Sequence, residues 1–138
     1  MQKTYSYMIP GPPPTKKNSM QIVRAGKNGR PFIRQSKKYI DYETIASYFL
    51  SPKPHDPIDD PVRVSCTYYM DTRRRVDMTN LLAATHDVLV KFLVLADDNR
   101  DVIASVDGSR VYYDKENPRV EIRITPLEEE YAQWKEKK

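Results

Sequence analysis

The stretch VRVSCTYYMDTRRRVDMTNLLAATHDVLVKFLVLADDN, residues 62–99, changes its hydrophobic period halfway along. In its first part Val62, Val64, Cys66, Tyr68 and Met70 alternate with Arg63, Ser65, Thr67 and Tyr69. That period of two belongs to a strand with one buried face. Beyond TRRRV the period lengthens. Met78, Leu81, Leu82, Thr85, Val88, Leu89 and Phe92 fall within a stripe of roughly 120° when each residue turns about 100°. A core helix is therefore predicted from about residue 77 to residue 93.

Working outward, TYSYMI at residues 4–9 alternates Tyr5, Tyr7 and Ile9 with Thr4, Ser6 and Met8 and reads as a strand ended by Pro10, with an extended run to Pro14. Two short apolar runs, 20–23 and 31–33, flank a glycine-bearing turn at 26–29 and predict a basic hairpin. Ser36 is a fitting N-cap for a helix to about Leu50, with Tyr39, Tyr42, Ile45, Ala46 and Phe49 at helical spacing. The proline-rich stretch 51–61 reads as a linker. After the core helix, VIASV and SRVYY are separated by Asp107-Gly108, which predicts a tight hairpin. A further strand is expected over 119–125 and a C-terminal helix over 126–138. The order of elements predicts an α+β fold in a single domain over residues 1–138, a mainly antiparallel mixed sheet packed against two or three helices.

Composition narrows the class. The chain has 138 residues and a single cysteine, Cys66, which excludes an internal disulfide or a cysteine zinc site and suits a reducing compartment. No stretch approaches the roughly 18 apolar residues of a membrane span, and no secretory signal opens the sequence, so a cytoplasmic protein without membrane contact is expected. With 23 Lys+Arg against 19 Asp+Glu, the net charge of +4 favours polyanionic partners.

Chemistry concentrates at 72–102. Arg73, Arg74 and Arg75 lead into a helix whose first turn carries Asp77 and Asn80, three apart and so neighbours on one face. That face continues through Ala84, Asp87 and Lys91, opposite the apolar stripe, and is expected to be exposed or to line a site. The helix returns the chain to the carboxylate pair Asp97-Asp98. Each feature has an ordinary account in capping, loop chemistry or solvation. Together they suit a phosphodiester site, because hard carboxylate oxygens bind Mg²⁺, which offsets phosphate charge and activates water, while arginines hold flanking phosphates. Asp77 and Asp87 lie about 15 Å apart along the axis and cannot share an ion. Lys91 lies about 20 Å from Asp77. His86 falls beside apolar positions and reads as a packed histidine, and His55 sits in the linker with no partner in view.

The run RRRVDMTNLLAATHDVLV…LADDN resembles the RusA family of Holliday junction resolvases, whose pattern is an arginine-rich strand end, Asp-x-Asp-Asn-Leu opening a helix, a later helical Asp and an Asp-Asp pair. The strand ending in Pro-x-Pro-Pro and the segment TKKNSMQIVR…GRPFIRQSKKYIDYE resemble phage and prophage members. The resemblance covers most of residues 4–125. It implies a homodimeric endodeoxyribonuclease that uses Mg²⁺, with Mn²⁺ as a substitute and no small-molecule cofactor, and that nicks two opposing strands of a four-way DNA junction. By position, Asp77 matches the first motif acid, Asn80 the motif Asn, Asp87 the later helical Asp, and Asp97 and Asp98 the closing pair, Asp98 aligning with the acid required for cleavage. The implied metal ligands and catalytic acids are Asp77, Asp97 and Asp98, with Thr79, Asn80 and Asp87 around them. Two positions depart from the family pattern: Thr79 stands where a second acid is expected, and Ala83 where a lysine often sits.

The DNA grip is expected from Arg73, Arg74 and Arg75 together with Lys16, Lys17, Arg24, Lys27, Arg30, Arg34, Lys37 and Lys38, which a solvated basic hairpin would also explain. Tyr39, Tyr42 and Phe32 suit either a junction wedge or, for the two tyrosines, the core. The alternatives to a resolvase are a non-catalytic junction or duplex binder with a degenerate metal site, and an RNA-binding accessory protein.

Overall fold

A computed structural model describes residues 3–14, 20–24 and 29–127. Among these residues nine elements follow in chain order: β1 (Tyr5–Pro10), β2 (Met20–Arg24), β3 (Pro31–Gln35), α1 (Lys37–Phe49), β4 (Val62–Met70), α2 (Met78–Lys91), β5 (Ile103–Ser105), β6 (Arg110–Tyr113) and β7 (Arg119–Pro126). The fold is α+β, with a mixed five-stranded sheet and two helices.

β4 is the centre of the sheet. It pairs antiparallel with β7, which pairs antiparallel with β1. Its alternation is realised residue by residue: Val62, Val64, Cys66, Tyr68 and Met70 are buried, and the residues between them are half-buried on the opposite face. Val120, Ile122 and Ile124 of β7, Tyr7 and Ile9 of β1, and the inward faces of both helices join these residues in one core. Tyr68 ties strand to helix, its hydroxyl donating to the Leu81 carbonyl at 3.0 Å and meeting Thr85 Oγ1 at 2.7 Å. The expected basic hairpin is present as the antiparallel pair β2–β3, a separate two-stranded sheet. Ser36 caps α1, accepting from the Tyr39 backbone N–H at 3.3 Å.

The expected hairpin at Asp107-Gly108 is absent. β5 and β6 both pair parallel with β4, β5 along its first half and β6 along its second. α2 is therefore the crossover of a β-α-β unit, the kind of connection that parallel strands require. Gly108 does have a positive φ of 87°, but the turn offsets the chain instead of reversing it. The gap in the ladder is bridged by Ser109, whose Oγ accepts from the Cys66 backbone N–H at 3.0 Å. The helix expected over 126–138 does not begin where Pro126 stands, because Pro126 pairs with Val62 as the last residue of β7. Residues 128–138 lie outside the described residues. Among the described residues no helix is long and apolar enough to cross a membrane.

Candidate active site

Asp77 is the N-cap of α2, and its Oδ1 accepts from the Thr79 backbone N–H at 2.9 Å. The helix begins here because an aspartate satisfies an otherwise unpaired N–H and its charge suits the positive end of the helix dipole. Arg73, Arg74 and Arg75 are exposed immediately before it, with Arg73 stacked 4.1 Å above the Tyr113 ring centroid. Thr79 and Ala83 are exposed and Asn80 is half-buried.

At the far end of α2, Leu93 takes a positive φ of 66° and the chain turns back. Leu95 forms a parallel bridge with Ile58 of the linker, which fixes the start of the acidic loop. Asp97 and Asp98 are exposed there, with Asp97 Oδ1 accepting from the Asp98 backbone N–H at 2.7 Å. Asp98 of the pair reaches the helix electrostatically. Burial lowers the His86 pKa, and the charges of Asp98 and Asp87 oppose that shift. His86 is thus a packed, half-buried histidine as expected, and its Nε2 is buried without a hydrogen-bond partner.

The polar stripe of α2 is not an open surface. Ala84 is fully buried, which corrects the expectation for this face. Further along, Lys91 Nζ bonds Glu43 Oε2 of α1 at 3.1 Å. Asp87 faces Tyr39 of the same helix, whose buried phenol has a raised pKa from burial first and then from the charges of Asp87 and Glu43. This stripe is the seam between the two helices. Asp87 therefore sits at the packing seam of α2 against Tyr39. Tyr39 and Tyr42 are buried, which settles them as core residues. His55, expected to be alone, has its Nδ1 3.3 Å from Asp56 Oδ2.

Among the basic residues of the N-terminal segment, Arg30, Arg34, Lys37 and Lys38 are exposed. Lys16, Lys17 and Lys27 lie outside the described residues, and Arg24 is placed only as the last residue of β2. The described residues also carry aromatic groups that periodicity did not single out: Tyr69, Tyr112 and Tyr113, each stacked with a guanidinium or another ring. Their sequence signals are the outward Tyr69 of the alternating strand and the two tyrosines of SRVYY, but their neighbours depend on strand pairings that spacing does not reveal.

Among the described residues no group of three or more His, Cys, Asp or Glu side chains is placed to hold a metal ion. The acids supply the right donor atoms, but no preformed cage. Mg²⁺ is commonly held by one or two carboxylates and completed by substrate phosphates and water, so exposed carboxylates at Asp77 and in the acidic loop are compatible with that cation.

Exposed carboxylates lie at the two ends of one helix, with a run of exposed guanidiniums before its start, groups of the kind suited to a phosphodiester and a hard cation. A family model described as Endodeoxyribonuclease RusA matches residues 10–125, and the chain belongs to this family of Holliday junction resolvases. It is an endodeoxyribonuclease, and branched DNA is what the family binds. Nucleases of this kind usually need a divalent metal. Among curated proteins no match is found.

Proposed function

We propose that the chain acts as a homodimer that resolves four-way DNA junctions by paired, symmetric nicks in the presence of Mg²⁺, with Asp77 and Asp98 as the metal-holding acids and Asp97 assisting. The observation that carries this reading is the placement of Asp77, exposed and oriented as the cap of α2 directly after three exposed arginines. When bound, a divalent cation offsets the charge on the attacked phosphate and makes water a better nucleophile. The chain's own residues position the substrate: Arg74 and Arg75 meet the phosphates flanking the scissile bond, and Arg73 is steadied against Tyr113. Exposed Thr79 and half-buried Asn80 offer a hydroxyl and an amide at the same helix turn. Mn²⁺ is an expected substitute, since both cations favour carboxylate oxygen.

Asn is as good a helix cap as Asp, so Asp77→Asn removes charge while keeping the helix start. Asp77→Asn and Asp98→Asn are each expected to abolish nicking of a synthetic four-way junction in Mg²⁺ and to leave junction binding intact. Undiminished cleavage by either variant would sink the assignment.

A further inference from the structure

Three adjacent strands carry a row of stacked planar groups across the sheet face opposite the helices. Arg119 of β7, Tyr69 of β4 and Tyr112 of β6 are direct cross-strand partners. The Arg119 guanidinium lies 3.8 Å from the Tyr69 ring centroid, and the Tyr69 and Tyr112 rings stack at 5.6 Å with 29° between their planes. The inner end of the row is locked. Arg119 Nη1 bonds Asp114 Oδ2 at 3.1 Å and the Asn117 carbonyl at 2.8 Å, and its Nε bonds Glu121 Oε2 at 2.9 Å.

The outer end is open. Among the described residues β6 pairs with β4 alone, so Tyr112 stands at a sheet edge, and it is 46% exposed. Arg110 Nη1 donates to the Tyr112 hydroxyl at 3.3 Å, which puts a cation beside the ring. An ordered row of π-faces that ends on an exposed ring at an edge, with a guanidinium alongside, is what a planar group needs to extend the stack. Phosphate recognition alone calls for cations without rings. A nucleobase carries both the planar face and the flanking phosphate.

We propose that Tyr112 is a stacking platform for an unpaired nucleobase of branched DNA, with Arg110 meeting the adjoining phosphate. The inference rests on the junction reading above and deepens it, because bases at a branch point can leave the helical stack whereas bases within a duplex arm do not. Removing such a platform is expected to weaken binding roughly tenfold.

The test uses the full chain without divalent metal, so that binding is read without cleavage, and a four-way junction carrying 2-aminopurine next to the branch point. Wild-type protein is expected to quench the fluorophore. Tyr112→Leu is expected to lose the quench and to bind the junction roughly tenfold more weakly, with affinity for a fully paired duplex unchanged, while Tyr112→Phe keeps both properties. Binding by the wild type with unaltered fluorescence, or a quench that survives Tyr112→Leu, would overturn the platform and leave the junction reading standing. A wild-type protein that bound no four-way junction would overturn both.

Discussion

Asp77 serves the fold and the proposed chemistry with the same carboxylate, and substitution separates the two. Asp77→Ala removes the cap on the Thr79 N–H and is expected to cost about 1 kcal/mol of stability in urea denaturation, whereas Asp77→Asn should stay within a few tenths of wild type while losing nicking all the same. Equal instability of both variants would show that charge, and not the cap, holds the helix start. His86 gives a second measurement at this scale. Burial makes the folded chain favour the neutral ring and lowers its pKa below the ordinary 6.5, against the opposing charges of Asp98 and Asp87. The unfolded chain therefore takes up the proton first on acidification. Stability contributed by the neutral ring is complete above about pH 6.5 and is lost as pH falls from there towards the folded-state pKa. His86→Gln is expected to flatten that part of the profile, and parallel urea midpoints for variant and wild type between about pH 7.5 and pH 5 would refute it. Packing of His86 was legible from its angular position on the helix. Ala84 was not, because a helical wheel cannot show that α1 covers the face it occupies.

At the scale of elements, β4 and α2 were legible because each buries one face and so imposes its own period on the sequence. Strand pairing is a different matter. Asp107-Gly108 supports a hairpin by local conformation alone, and the positive φ it predicts is present. The direction of the chain after it is set by β4, whose edge accepts β5 and β6 in parallel once α2 has returned the chain to its start. The site was legible in the same uneven way. Asp77 could be assigned to the start of α2, but that acids from two ends of a helix form no three-ligand group is a matter of tertiary placement. Gly108 also tests the topology. A Cβ there would lie 2.9 Å from Ser65 Oγ, besides meeting an unfavourable φ, so Gly108→Ala is expected to destabilise by roughly 1–2 kcal/mol. Adding Ser65→Ala should return only the steric part, and full recovery in the double variant would show that φ carries no strain. Thr79→Asp belongs here too. It adds an acid to the first turn of α2, worth about 0.3–1 kcal/mol with the helix dipole, and is expected to lower the Mg²⁺ concentration needed for cleavage. A stabilised variant with a raised Mg²⁺ requirement would mean that the site is built around threonine.

For the whole molecule, the proposed function divides the excess of +4 into two populations with opposed duties, cations to grip phosphate and a few exposed acids to work beside them. The cations make binding sensitive to salt: each phosphate neutralised contributes about −0.9 to the slope of log affinity against log salt. Replacing Arg73, Arg74 and Arg75 together by Gln should reduce that slope by about 2 to 3, and an unchanged slope would remove them from the interface. On the same proposal the acids call for two copies. One chain supplies one Asp77 and one Asp98, while a four-way junction presents two equivalent strands related by a near two-fold axis, which a two-fold dimer matches with one site each. On a supercoiled plasmid with an extruded cruciform, a wild-type dimer should convert circles directly to linear DNA, since both nicks fall within one bound complex. A mixed dimer, with one wild-type chain and one Asp98→Asn chain held together by complementary affinity tags, should instead stop at the nicked circle. Linear product from that mixed dimer at the wild-type rate would mean that a single chain cuts both strands, and the argument for paired sites would fail while the assignment to branched DNA remained.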